Sequence, residues 1–226
     1  MPEISHSLQQ VLAEISRYEH EFARQSGSTR LIAVSKTRPV ADLLEAYQQG
    51  LRAFGENYIQ EALEKIASLD LDGIEWHFIG PIQSNKTRPI AEHFDWVHSV
   101  DRLKVAERLN EQRPAHLQPL QVLIQVNSSK EESKSGCSFE QLPQLAAVVD
   151  ALPQLNLRGL MTLPAADNDF NQQRIPFRNL REAMASLNQS GMTLDTLSMG
   201  MSRDIRAAIA EGSNMVRVGT AIFGQR

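Results

Sequence analysis

The sequence is short of several things, and each shortage removes a class of function. It has a single cysteine, Cys137, so no internal disulfide framework is available and a reducing compartment is expected. No apolar run approaches the roughly twenty residues that a bilayer span requires. The start, Met1-Pro2-Glu3-Ile4-Ser5-His6, has no basic region followed by an apolar stretch, so no secretory signal is expected. There is no basic surplus: 23 Lys and Arg face 27 Asp and Glu, a net charge of -4. That balance argues against a nucleic-acid or membrane-surface role. Neither a Walker sequence nor Gly-x-Gly-x-x-Gly occurs. The six histidines contain no His-Glu-x-x-His pair, and no Cys/His cluster could hold zinc, so no metal site is expected. These absences together describe a soluble, cytoplasmic protein.

What is present is ordinary globular material, 42% apolar and 22% charged over 226 residues. One stretch organises the rest: Leu31-Ile32-Ala33-Val34-Ser35-Lys36-Thr37-Arg38-Pro39. Four consecutive apolar residues are too few for a helix and too continuous for a half-exposed strand. They suit a strand of a parallel sheet covered on both faces. Lys36 follows where the strand gives way to a loop, and Pro39 is placed to open a helix. A partly desolvated lysine amine can lose its proton and form a Schiff base with an aldehyde.

The remainder repeats this strand-to-helix pattern. An amphipathic helix is predicted over residues 4–24, from Leu8, Val11, Leu12 and Ile15. Strands are predicted near Leu31–Val34, Arg52–Gly55, Glu75–Gly80, Asp95–His98, Leu120–Asn127, Leu155–Thr162, Leu194–Ser198 and Met215–Gly219. The helices between them are predicted to start at caps: Asn57, Asp101, a Ser138/Gln141 capping box, and Ser202 for a short helix to Glu211. Pro89 is expected to limit a helix over residues 84–93. No helix is predicted after the last strand, and the first helix is placed to fill that gap in the outer ring. About eight such units in 200 to 250 residues predict a (β/α)8 TIM barrel, an α/β fold in a single domain over 1–226. A doubly wound open sheet competes, but it would have fewer strands and usually a glycine-rich first turn.

In a barrel, chemistry sits at the carboxyl ends of the strands. Those ends read Lys36, Asn57, His77 with Gly80, Ser99, Asn127, Met161 with Thr162, Ser198 to Ser202, and Gly219-Thr220. No carboxylate pair occupies equivalent places, which argues against a glycosidase. Barrels often bind phosphate after strands seven and eight. There Ser198-Met199-Gly200-Met201-Ser202 offers hydroxyls and a glycine, and Arg217-Val218-Gly219-Thr220 adds a guanidinium, a close-approach glycine and a hydroxyl. Strand eight neighbours strand one when a barrel closes, so the amine and the phosphate grip should be close. Pyridoxal 5'-phosphate carries an aldehyde and a phosphate a few bonds apart. A cofactor-free Schiff-base aldolase is the alternative. His77 and Met161 are further candidates for ligand contact, and Lys134, on the loop after strand five, is a second amine that could hold or pass on the aldehyde.

Several segments together carry a family resemblance. They include Phe54-Gly55-Glu56-Asn57-Tyr58, Trp76-His77-Phe78-Ile79-Gly80-Pro81-Ile82-Gln83-Ser84-Asn85-Lys86, Ser133-Lys134-Ser135-Gly136 and Arg217-Val218-Gly219-Thr220-Ala221-Ile222-Phe223-Gly224. Over nearly its whole length the chain resembles the pyridoxal phosphate homeostasis proteins. The resemblance implies a fold-type III barrel like the amino-terminal domain of alanine racemase. It implies that Lys36 forms the internal aldimine, that Ser198, Ser202, Arg217, Gly219 and Thr220 surround the phosphate, and that Asn57 lies beside the pyridine ring. Met201-Ser202-Arg203-Asp204 departs from the family pattern, in which an acidic residue commonly follows the serine. The racemases need a second domain to bring a catalytic tyrosine opposite the lysine, and none is expected here. The expected function is therefore binding, buffering or delivery of the cofactor, with apo-enzymes as recipients and a monomeric state; a small amino-acid racemase is the alternative.

Overall fold

The computed structural model describes residues 3–129 and 135–225. Lys134 lies outside them. Strands β1 (Arg30–Val34), β2 (Ala53–Glu56), β3 (Glu75–Phe78), β4 (Trp96–Val100), β5 (Leu120–Gln125), β6 (Leu155–Met161), β7 (Thr196–Ser198) and β8 (Met215–Val218) close a parallel barrel in sequence order. Closure is made by β8 against β1, with Ile32 opposite Arg217 and Ala33 opposite Val218. The helices α1 (Ile4–Glu21), α2 (Val40–Gln48), α3 (Ile59–Ser68), α4 (Thr87–His93), α5 (Leu103–Gln112), α6 (Leu142–Asp150), α7 (Phe170–Gln189), α8 (Ile205–Ala210) and α9 (Thr220–Phe223) surround it.

The apolar pattern explains the layers. Side chains alternate across a strand, and both faces of a covered strand are dry. Leu31 and Ala33 of β1 therefore join the layer between barrel and helices. Ile32 points inward, to a small apolar cluster with Ala53, Trp96, Leu123, Met161 and Met215. The helix outside the repeat, α1, packs on α2, α8 and α9 and so completes the outer ring. Its end is pinned by buried Glu19, which accepts from the amides of Gly27 at 2.8 Å and Thr29 at 2.6 Å.

Several helix starts differ from expectation. Asn57 and Asp101 cap nothing: the residues flanking α3 and α5 are Tyr58 and Arg102, with no side-chain cap bond. Asp101 instead accepts from the Arg102 guanidinium at 2.6 Å. The reciprocal Ser138–Gln141 bonds do form, at 3.0 and 3.3 Å, but α6 itself begins only at Leu142, with Gln141 flanking it and no side-chain cap bond. Pro89 sits in the first turn of α4, where its missing N–H has no intrahelical role, so the helix continues past it. The helix expected from Ser202 begins only at Ile205, because the chain first makes a turn in which Asp204 Oδ1 accepts from the Met201 amide. A short helix, α9, does follow β8.

Candidate functional site

The turn after β1 is built by a buried charge cluster beneath it. Lys65, from α3, is nearly inaccessible, and its Nζ donates to the Ser35 carbonyl at 2.7 Å, Glu56 Oε1 at 2.7 Å and Glu61 Oε1 at 2.6 Å. The Ser35 hydroxyl donates to Glu56 Oε1 at 2.6 Å, and the Thr37 amide to Glu61 Oε1. Burial raises the Glu56 carboxyl above its usual range, and Lys65 and Ser35 partly offset that shift. Thr37 is held at φ 61°, an unfavourable region for a residue with a side chain. Both chain neighbours of Lys36 are thereby fixed, and Lys36 itself is half-buried at the barrel mouth.

Across the closure, the turns after β7 and β8 depend on glycine and hydroxyls. Gly219 packs against β1 so closely that a Cβ there would meet the Val34 carbonyl oxygen at 3.1 Å. Gly200 has φ +100°, and a Cβ on it would lie 2.6 Å from Ala208 Cβ. The Arg38 guanidinium donates to the Gly224 carbonyl, tying the turn after β1 to the end of α9.

Lys36, Ser202, Arg217, Gly219 and Thr220 line one cavity of about 330 Å³. Its other walls include Val34, Arg38, Met201, Asp204 and the Pro164–Asp167 side of the loop after β6. The volume is within the range of small-ligand sites. Ser202 and Thr220 are exposed at the rim, whereas Arg217 is buried in the floor. Its guanidinium donates to Ser198 Oγ at 2.5 Å and to the Thr162 carbonyl at 2.9 Å. Burial lowers its pKa to about 10, with Asp204 pulling the other way. Burial likewise raises the Asp204 carboxyl, despite the Met201 amide it accepts from.

The other expected residues fall elsewhere. Ser198 is fully buried below the cavity, between Arg217 and His98. Asn57 lines an adjoining hollow with Ile79, Gln125 and Ser135, which shares Pro164 and Met201 with the first. Its Oδ1 is buried with no hydrogen-bond partner. His77 and Met161 are fully buried inside the barrel and line neither hollow. Arg38, Asp204 and the loop after β6 are cavity residues that the sequence reading did not select. For the loop, its position at a strand's carboxyl end was the available signal; for Arg38, two residues past Lys36, there was none.

Among the described residues no group of three His, Cys, Asp or Glu could hold a metal ion, and no helix is long and apolar enough to cross a membrane. The alanine racemase N-terminal domain pattern matches residues 8–226. The chain is 56% identical to the pyridoxal phosphate homeostasis protein of Pseudomonas aeruginosa, over 100% of this chain and 97% of that one. It is 52% identical to the protein of that name from Escherichia coli, over 100% and 98%. Among solved structures it is similar to PipY of Synechococcus elongatus with pyridoxal phosphate bound, at TM-score 0.82 and 38% identity, covering 93% of this chain and 100% of that one. Alanine racemase from Corynebacterium glutamicum shares the fold at TM-score 0.73 and 18% identity, over 96% of this chain and 62% of the racemase.

Proposed function

The chain belongs to the pyridoxal phosphate homeostasis proteins, which are built on the alanine racemase N-terminal domain, and from that premise we propose that it binds pyridoxal 5'-phosphate in the cavity between β1 and β8 and holds it for release to apo-enzymes. The observation that carries this reading is that a half-buried amine and a glycine–hydroxyl turn share the walls of one small cavity. The residues fit the cofactor's two handles. The cofactor supplies an aldehyde that condenses with a primary amine and a phosphate that anchors it. Lys36 supplies the amine. The Gly219-Thr220 turn and Ser202 supply the anion cradle: the first amides of α9 have no acceptor within the helix, and glycine lets the backbone approach. Arg217 contributes a cation in the floor, and Ser198 holds Arg217 from below. Asn57 offers its unpartnered Oδ1 from the adjoining hollow. Within this reading the whole chain is one barrel domain.

The protein is proposed as a binder and donor, not an amino-acid enzyme. The relatives that match it over full length carry the homeostasis name, whereas the racemases share only its fold. The exposed rim at Ser202 and Thr220 supports exchange with solvent and excludes water poorly. Borohydride reduction of the loaded protein, followed by peptide mass analysis, is expected to find the cofactor on Lys36, and Lys36→Ala to lose it. An adduct confined to any other lysine would overturn the assignment. Turnover of amino acids near the about one per second of ordinary enzymes would replace the donor reading with the racemase reading.

A further inference from the structure

Beneath the cavity, the barrel interior holds a line of polar side chains with no part in the cradle. It begins at Arg217, whose guanidinium donates to Ser198 Oγ. Ser198 Oγ lies 2.8 Å from His98 Nδ1, and His98 Nε2 lies 2.9 Å from His77 Nδ1. His77 Nε2 then faces Glu75 Oε2 at 3.9 Å. That is too far for a hydrogen bond, yet near enough for the carboxylate to favour a proton on that nitrogen. Glu75 is itself paired with Arg30 at 2.7 Å and accepts from the Trp96 indole at 3.1 Å. The four inner members are each no more than 3% exposed. They come from β8, β7, β4 and β3, so only the closed barrel aligns them.

The two ends favour one direction for the hydrogen bonds between them. A guanidinium can only donate and a carboxylate can only accept. Ser198 receives from Arg217, and His98 Nδ1, 2.8 Å away, is the acceptor that its own hydroxyl proton can reach. A neutral His98 then carries its proton on Nε2 and gives it to His77 Nδ1. His77 in turn carries its proton on Nε2, facing Glu75. The opposite direction would take that acceptor from the Ser198 hydroxyl proton and set a bare His77 nitrogen against a carboxylate. One proton per ring is what the surroundings enforce. Burial first, then Arg30, holds His77 neutral; burial first, then His77, Arg217 and Arg30, holds His98 neutral.

We infer that His98 and His77 are positioning residues for Arg217: both imidazoles are protonated on Nε2 and extend the hydrogen bonding of the buried guanidinium across the barrel interior toward Glu75. The two acceptors of the guanidinium described above, Ser198 Oγ and the Thr162 carbonyl, are neutral oxygens. A buried cation of that kind is costly unless its neighbours are polarised toward it. The line polarises Ser198 through two rings and so fixes the cation in the cavity floor. The consequence for the cofactor rests on the function proposed above, but the tautomers do not.

Long-range proton–nitrogen correlation spectra of the ¹⁵N-labelled, cofactor-free protein test the line directly. The expected result is two buried neutral histidines, both in the Nε2–H form. A His98 with its proton on Nδ1, or a doubly protonated His98, overturns the inference. Pyridoxal 5'-phosphate titrations followed by visible absorbance test the consequence. His98→Leu is expected to weaken binding about tenfold, the loss of one hydrogen bond in a chain to a buried charge, and to move the absorbance band. His98→Asn, whose amide oxygen can still accept from Ser198, is expected to restore most of both. Unchanged affinity and band in His98→Leu would contradict the positioning role. If that variant does not fold, the tautomer spectrum of the unaltered protein decides.

Discussion

The two sides of the cavity are built by opposite means. The turn after β1 rests on charge: a buried lysine and two glutamates grip the residues on either side of Lys36 and hold Thr37 at positive φ. The turns after β7 and β8 rest on the absence of side chains, with Gly200 and Gly219 set where a Cβ would crowd Ala208 or Val34. An amine that must meet one carbon atom has to be aimed, and a flexible four-carbon side chain can be aimed only from a rigid base. An anion with several equivalent oxygens needs many donors at close range, which backbone supplies best where glycine lets it approach. The difference follows from the two ends of the proposed ligand.

Three substitutions separate the two designs, in decreasing order of effect. Lys65→Met strips the charge from the first turn and leaves Glu56 buried without its cation. Breaking a buried ion pair from one side costs about 3 kcal/mol or more, read as a lower urea midpoint. Adding Glu56→Gln is expected to recover part of it, and an unchanged midpoint in the single variant would show that the cluster supports nothing. Gly219→Ala adds a methyl group against Val34 at 3.1 Å. The crowding is expected to cost about 1–2 kcal/mol, or about tenfold in cofactor affinity, with the protein still reducible to a Lys36 adduct. Equal affinity in that variant would remove the close-approach argument. Thr220→Val removes one hydroxyl from the rim and is expected to weaken affinity about fivefold, near 1 kcal/mol, without losing the adduct. If it binds as tightly as the parent, Thr220 is no part of the cradle.

Much of this was legible in the chain. The run Leu31–Val34 reads as a covered strand because burial on both faces leaves no polar alternation, and all eight strands were found in order. The amine and the two turns were also readable, since strand ends in a barrel point to one mouth. The helix starts were less so. Asn57 and Asp101 have good capping side chains, yet neither caps, because cap geometry depends on how the preceding strand delivers the chain. The helix after β7 began at Ile205, not Ser202, because the Met201–Asp204 turn intervened. His77 was weighed as a ligand contact at a strand end; its side chain instead points into the barrel, to His98.

The sequence alone determined the barrel and its order, and set Lys36 at a strand's carboxyl end, because hydrophobic periodicity and strand-end position are local properties that a reader can follow residue by residue. Only the tertiary structure decided which ends share a cavity, what grips the turn around Lys36, and that His77, His98, Ser198 and Arg217 form a line. Those contacts join residues far apart in the chain, and their existence depends on closure of β8 onto β1, which brings distant side chains within hydrogen-bond range at angles no local pattern encodes.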